Sequence, residues 1–335
     1  MSAIVIDIGG THIRCALADE NASLFHIQKK RAASFIHGHS PDRVWQDIID
    51  IIAGYELSFK NMVPEEAPIV ISFPGPIAHP SQILSAPTLV GKDAEMPDLQ
   101  SEIAKRTGRT TYIINDISAA AWHISRTVTD DRFLVVTVSS GIGSKIFDRL
   151  HPHGVLDEAP FAGEIGHIKI DASPGALSCD CGGTGHLGAI ASRRGIERFA
   201  RSRAKHDKER FDQSACATLF HGAADTLTNE EHIVPAAKMH DAWALDIIRQ
   251  CTGHLARVLL LLTAAQGLDR IVVIGGFALS LGPMYLDILR KEMLNNCDFE
   301  TLSSTIPGLL VMGSAHEEAC LQGAAVYALN IRPRS

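Results

Sequence analysis

Ile4-Val5-Ile6-Asp7-Ile8-Gly9-Gly10-Thr11 is a short β-branched run that closes on an acidic residue and a pair of glycines. Such a run reads as a buried strand, and the Gly-Gly-Thr after it as a tight turn. Ile13 to Leu17 is the return strand of a hairpin. The pattern recurs at Phe133-Leu134-Val135-Val136-Thr137-Val138, followed by Ser139-Ser140-Gly141-Ile142-Gly143 and the return strand Lys145-Ile146-Phe147. Placing Asp7 over Thr137 aligns two strand-turn-strand units 130 residues apart. A period that long points to two related half-domains, because solenoid repeats run about 20–50 residues.

The rest of the chain alternates strands and helices. Helical spacing covers Pro41 to Ala53, Leu99 to Arg106, an Ala-rich stretch from Ser118, Leu255 to Gln266 and Glu317 to Leu329. Strands are expected at Ile69 to Phe73, Thr111 to Ile114 and Arg270 to Ile274. That alternation predicts an α/β protein in two lobes. A length of 335 residues agrees, being about twice a common single domain.

Composition narrows the function classes. With 46% hydrophobic and 21% charged residues the chain is an ordinary globular one, which excludes wholesale disorder. A net charge of −7, with Lys29-Lys30-Arg31 as the longest basic run, argues against nucleic acid and anionic membrane as partners. No apolar run approaches the roughly 20 residues of a membrane span. The start of the sequence has no basic leader, so no signal peptide is expected. Seven cysteines, of which only Cys179 and Cys181 are close together, read as reduced thiols. A cytoplasmic location follows from these features.

Three small-residue turns each follow a buried strand: Gly9-Gly10-Thr11, Ser139-Ser140-Gly141-Ile142-Gly143 and Gly275-Gly276. Glycine lets backbone N–H groups approach an anion, and three such turns together point to a nucleotide. Thr11, Ser139 and Ser140 would add hydroxyl donors, Arg14 a charge, and Asp7 a carboxylate able to hold Mg²⁺ through water. None is a Walker loop, since no Gly-Lys-Ser/Thr follows. Asn115-Asp116 lies where a strand meets a helix. An aspartate there is placed to take a proton from an attacking hydroxyl, yet the same residues are what helix N-capping selects. Gly163-Glu164-Ile165-Gly166-His167 and Cys179-Asp180-Cys181-Gly182-Gly183-Thr184-Gly185-His186 supply His167, Cys179, Cys181 and His186, a closed Cys₂His₂ set suited to structural zinc.

Taken in order, these motifs resemble those of the ROK family of repressors and sugar kinases, within the actin, hexokinase and heat-shock-ATPase superfamily. Pro74-Gly75-Pro76 and Ile274-Gly275-Gly276 belong to the same series, which covers nearly the whole chain. The resemblance implies a two-lobed actin-like ATPase fold of duplicated ribonuclease-H-like domains with ATP in the inter-lobe cleft. It implies a small lobe of residues 1–117 plus 317–335 and a large lobe of 118–316 carrying a zinc knuckle at 164–188. Gly9, Gly10 and Thr11 with Ser140, Gly141 and Gly143 correspond to the phosphate loops, and Gly275 and Gly276 to the adenosine turn. Asp116 corresponds to the general base. Asn115, Glu164, His167 and Gly75 correspond to the sugar site, with His167 serving both metal and sugar. A homodimer is expected by analogy.

The sequence departs from the family pattern at three points. His186 stands where the third cysteine is usual, which still completes Cys₂His₂. Gly188 replaces a glutamate that binds sugar hydroxyls, at a cost of about 1.5–3 kcal/mol to a substrate that needs it. The reading is therefore an ATP-dependent kinase for an altered hexose-like substrate, such as an aminohexose (kanosamine) or a C7 cyclitol, with glucokinase or N-acetylmannosamine kinase as alternatives. Ser144-Lys145 ends the second phosphate loop where small glycines are usual, leaving Lys145 either on phosphate or in solvent. Two other classes compete: a repressor, for which no DNA-binding segment precedes Asp7, and a non-catalytic sugar sensor or chaperone-like ATPase.

Overall fold

The computed structural model describes residues 3–10, 12–33, 38–78, 81–91, 94–314 and 318–331, apart from the side chain of Thr88. Two compact units emerge. The first comprises Met1–Thr129, Lys145–Ala162 and His316–Ser335, and the second Asp130–Ser144 and Gly163–Ala315.

The first unit is built on a five-stranded sheet. β1 (Ala3–Ile8), β2 (His12–Ala18), β3 (Leu24–Arg31), β4 (Ile69–Phe73) and β7 (Thr111–Asn115) lie in the order β3-β2-β1-β4-β7, beside a small hairpin of β5 (Ile77–Ala78) and β6 (Gln82–Ile83). β1 and β2 are antiparallel with Ile8 opposite Ile13, as the hairpin reading expects. β4 runs parallel to both β1 and β7. Every residue of β1 and β4 is buried, the pattern of strands covered on both faces. The helix Pro41–Phe59 starts where Ser40 Oγ accepts from the Arg43 amide, and Pro41 holds its first turn. Its stripe of Val44, Ile48, Ile52, Tyr55 and Phe59 joins the sheet core.

Helix Asp116–Ile124 packs in this unit against helix Ala319–Asn330, so the division does not fall at residue 117. At the crossing a Cβ on Gly323 would stand 1.7 Å from the Ala119 carbonyl, so only glycine permits the approach. Segment Lys145–Ala162 joins the first unit as well: Phe147 meets Trp122 edge-to-face at 5.0 Å, and Gly154 lies under the same indole.

The second unit carries the order β11-β10-β8-β9, from β8 (Arg132–Val138), β9 (Ile142–Asp148), β10 (Arg270–Ile274) and β11 (Leu310–Met312). β9 begins in this unit at Ile142–Ser144, and its later residues belong to the first. β10 is parallel to β8 and to β11. Helix Ala242–Gln266 is longer than the expected Leu255 to Gln266. It starts at Asp241, whose Oδ1 accepts from the Ala244 amide at 2.8 Å, and buries Trp243, Ile247, Ile248 and Cys251 as well. No helix among the described residues is long and apolar enough to cross a membrane.

Candidate active site: strand-end carboxylates, a nucleotide-sized cavity and a Cys-His cluster

In the first unit, sheet register gathers the expected residues. Asp7 of β1 lies opposite Arg14 of β2 and Ser72 of β4. Ser72 Oγ donates to Asp7 Oδ1 at 3.0 Å and Arg14 Nη1 to Asp7 Oδ2 at 3.1 Å. Burial pushes the Asp7 carboxyl above the usual carboxylate range, against the lowering pull of Ser72 and Arg14. Arg14 is therefore tied to Asp7 as well as being near the Gly9-Gly10 turn, where Gly9 N donates to His12 O. Thr11 lies outside the described residues.

At the end of β7, cap and carboxylate are divided between neighbours. Asn115 is the cap: its Oδ1 accepts from the amides of Ile117 and Ser118, and its Nδ2 donates to the Gly75 carbonyl at 2.9 Å. Asp116 is the first helical residue, half-buried, with Oδ1 accepting from the Ile117 amide at 2.9 Å. Asp7, Asn115, Asp116 and Gly75 thus share one end of the parallel strands β1, β4 and β7, the carboxyl end where α/β sheets present their ligand residues.

In the second unit, Ser139-Ser140-Gly141 turns between β8 and β9, with Ser139 N donating to Gly141 O. Gly275 follows β10, the neighbour of β8, at φ +101°, and a Cβ there would stand 2.6 Å from the Val138 backbone. The Gly275-Gly276 turn is thereby pressed beside the serine turn. Beside them opens a cavity of about 600 Å³ whose lining includes Ser139, Ser140, Gly276, Phe277, Val234 and Pro235. Its size and mixed polar and apolar walls suit a nucleoside. Arg193, Asn229 and Lys238 also line it and had no sequence signal, since no local motif links them to the turns. Gly141 and Gly143 continue the turn into β9. Lys145 is not in solvent: it is buried, and its Nζ donates to the Ala162 carbonyl at 2.7 Å.

The Cys-His cluster also lies in the second unit. The ligand atoms of His167, Cys179, Cys181 and His186 all fall within 4.8 Å of one another. Cys179 Sγ is 3.9 Å from His167 Nδ1, and Cys181 Sγ is 3.3 Å from His186 Nδ1. Tetrahedral zinc with bonds of about 2.0–2.3 Å separates its ligands by comparable distances, so the donor set fits such an ion. The backbone wraps the cluster, with Cys179 N donating to Gly183 O and Gly182 N to Cys179 O. His167 Nε2 faces Glu164 Oε2 at 3.8 Å, so one imidazole has one nitrogen toward the cluster and the other toward a carboxylate. Gly188 adjoins this loop, its missing Cβ lying 3.1 Å from the Gly166 carbonyl.

Comparison with known proteins gives the family and fold of the chain. The chain is 33% identical over 327 residues to a C(7)-cyclitol 7-kinase of Streptomyces hygroscopicus subsp. jinggangensis, covering 96% of this chain and 92% of the relative. It is 29% identical over 293 residues to a 2-epi-5-epi-valiolone 7-kinase of Actinoplanes sp., covering 84% and 79%. A ROK glucokinase from Streptomyces griseus, solved with glucose and AMPPNP, superposes with a TM-score of 0.69 at 24% identity, covering 97% of this chain and 98% of that one. The fold is the two-lobed actin-like ATPase fold of those kinases. The ROK family profile matches residues 3–331, and the chain belongs to the ROK family.

Proposed function

We propose that this chain is an ATP-dependent kinase that transfers the γ-phosphoryl group to a hydroxyl of a C7 cyclitol. The observation that carries the reading is the similarity to a C(7)-cyclitol 7-kinase across 96% of the chain, together with Gly188 at the position where a sugar-binding glutamate is expected.

Asp116 serves as general base and takes the proton of the attacking hydroxyl. Its place in the first helical turn, with Oδ1 accepting from the Ile117 amide, holds the carboxylate at the carboxyl end of the parallel strands where a substrate hydroxyl would approach. Asn115, clamped on Gly75, fixes the direction of that carboxylate. Glu164 and His167 accept and donate hydrogen bonds to the other ring hydroxyls. Gly9, Gly10 and Thr11 with Ser140, Gly141 and Gly143 present N–H and O–H donors to phosphate oxygens, and Gly275 and Gly276 seat the adenosine. Asp7 would hold Mg²⁺ through water, and the ion would screen the charge of the phosphoryl group that ATP supplies. Most of the rate in such transfers comes from positioning and electrostatics. A structural zinc on His167, Cys179, Cys181 and His186 would hold the Glu164 loop in place. Nucleic acid and membrane play no part, and the protein works in the cytoplasm.

The test is ADP release with Mg-ATP and valiolone, glucose, N-acetylmannosamine or kanosamine, with Asp116→Asn as the blank. Cyclitol turnover at least about tenfold above glucose in kcat/KM is expected. Asp116→Asn should lose about 10²–10⁴-fold in kcat while still binding ADP. Equal turnover of glucose would overturn the cyclitol assignment, and full activity of Asp116→Asn would overturn the base.

A further inference from the structure

Asn229 is 1% exposed and lines the cavity beside the Ser139-Ser140 turn. It begins a single π-helical turn, Asn229–Ile233, which Thr228 caps by accepting from the Glu231 amide. Such turns widen the backbone and recur at functional sites. The Asn229 amide donates to Glu197 Oε1 at 2.9 Å, and its side-chain Nδ2 donates to the Arg193 carbonyl at 2.8 Å. A carbonyl only accepts, so this bond fixes which end of the carboxamide is nitrogen. The remaining atom, Oδ1, is a buried acceptor that finds no partner among the described residues. Leaving an acceptor buried and unpaired is costly, and native structures retain such a group where a ligand or water completes it.

The surroundings say what kind of ligand. Val234, Pro235 and Phe277 give the cavity apolar surfaces against which a flat ring can lie, and the serine turn supplies its polar end. A planar heterocycle with an exocyclic amine offers the N–H that Oδ1 lacks.

We propose that Asn229 reads the base of the bound nucleotide, with Oδ1 accepting a hydrogen bond from the 6-amino group of adenine. The site thereby selects a 6-aminopurine nucleotide over a 6-keto one. A keto oxygen at that position would set two acceptors against each other, each stripped of water. This inference rests on the nucleotide reading of the cavity given above and adds the residue that discriminates among nucleotides.

Titration calorimetry on the unmodified protein with ADP, inosine diphosphate and purine riboside diphosphate provides the test. ADP should bind about tenfold or more tightly than the purine riboside analogue, which lacks only the amine, and inosine diphosphate should bind more weakly still. In Asn229→Leu the ADP and inosine diphosphate affinities should converge. The analogue series in the unmodified protein decides the matter even where that variant folds poorly. ADP and inosine diphosphate binding within twofold of each other would overturn the role of Asn229 while leaving the nucleotide site intact. Binding of none of the three would overturn the nucleotide reading itself, and this inference with it.

Discussion

Arg194 donates from Nε to the carbonyl of Ser140 at 3.0 Å. The same guanidinium pairs with Asp180 at 2.8 Å, and Asp180 sits between the two cysteines of the Cys-His cluster. One side chain therefore ties the knuckle to the turn expected to hold phosphate, while the Arg193 amide donates to Ser139 O from the adjoining position. Arg194→Ala should weaken ADP binding about three- to tenfold, because a single hydrogen bond that shapes the turn is lost. Asp180→Ala should have a smaller effect, since its ion pairs with Arg194 and Arg198 are exposed. Calorimetric ADP titration of both variants is the check, and unchanged affinity in Arg194→Ala would show that the turn keeps its shape without this contact.

Metal analysis of the purified protein should find about one zinc per chain, held by the Cys₂His₂ set. Cys181→Ser should lose most of that zinc and lower the thermal midpoint by about 5 °C or more, as the loop from Glu164 to Gly188 loses its cross-link. Metal-free protein with an unaltered midpoint would remove the structural role.

Gly188→Glu restores the carboxylate that the family pattern contains. Its Cβ would meet the Gly166 carbonyl at 3.1 Å, so the loop must yield by a few tenths of an ångström. The expected result is a fall of about tenfold or more in kcat/KM for a C7 cyclitol and a rise for glucose. An unchanged ratio of the two would mean that a side chain at position 188 does not reach the substrate.

Stability should decline on the alkaline side. Burial pushes the thiols of Cys15 and Cys251 and the Tyr285 hydroxyl far up, and raises Cys216 and Tyr55 to about 12. Each of these groups is neutral in the folded state at pH 7. Because the folded values lie above the unfolded ones, near about 8.5 for Cys and 10 for Tyr, the stabilisation is complete below those values. It is lost as pH rises toward the folded values, where the unfolded chain releases protons that the folded chain keeps. Thermal midpoints measured from pH 7 to 11 should fall from about pH 9, with a shallower slope in Cys251→Ala. A flat profile to pH 11 would contradict this.

What the sequence disclosed depended on whether the cue was local. β1, β4 and β10 were legible because Ile and Val crowd into short runs that end at Asp, Phe-Pro or Gly-Gly. β3 carries no such cue: as the edge strand it leaves most of its residues in solvent and shows no alternation. Helix Arg193–His206 was hidden likewise, since its buried stripe is only Gly195, Ile196, Ala200 and Ala204 among many charges. At Asn115-Asp116 the residue types suited both capping and chemistry, and only coordinates could divide the two jobs between neighbours. Asn229 carried no signal at all, because what marks it is an acceptor left over after a contact with Arg193, 36 positions earlier in the chain.

The crossing of Gly323 over the Ala119 carbonyl sets a schedule for the ribosome. Helix Asp116–Ile124 leaves the exit tunnel long before helix Ala319–Asn330 has been made. At about 5–20 residues per second the wait is about 10–40 s, during which an Ala-rich surface has no partner. The first unit thus finishes packing only after the second has been synthesised within it. A chain that stops short of residue 330 would leave the strand ends that carry Asp7 and Asp116 without their covering helix, exposed to chaperones and proteases rather than to substrate.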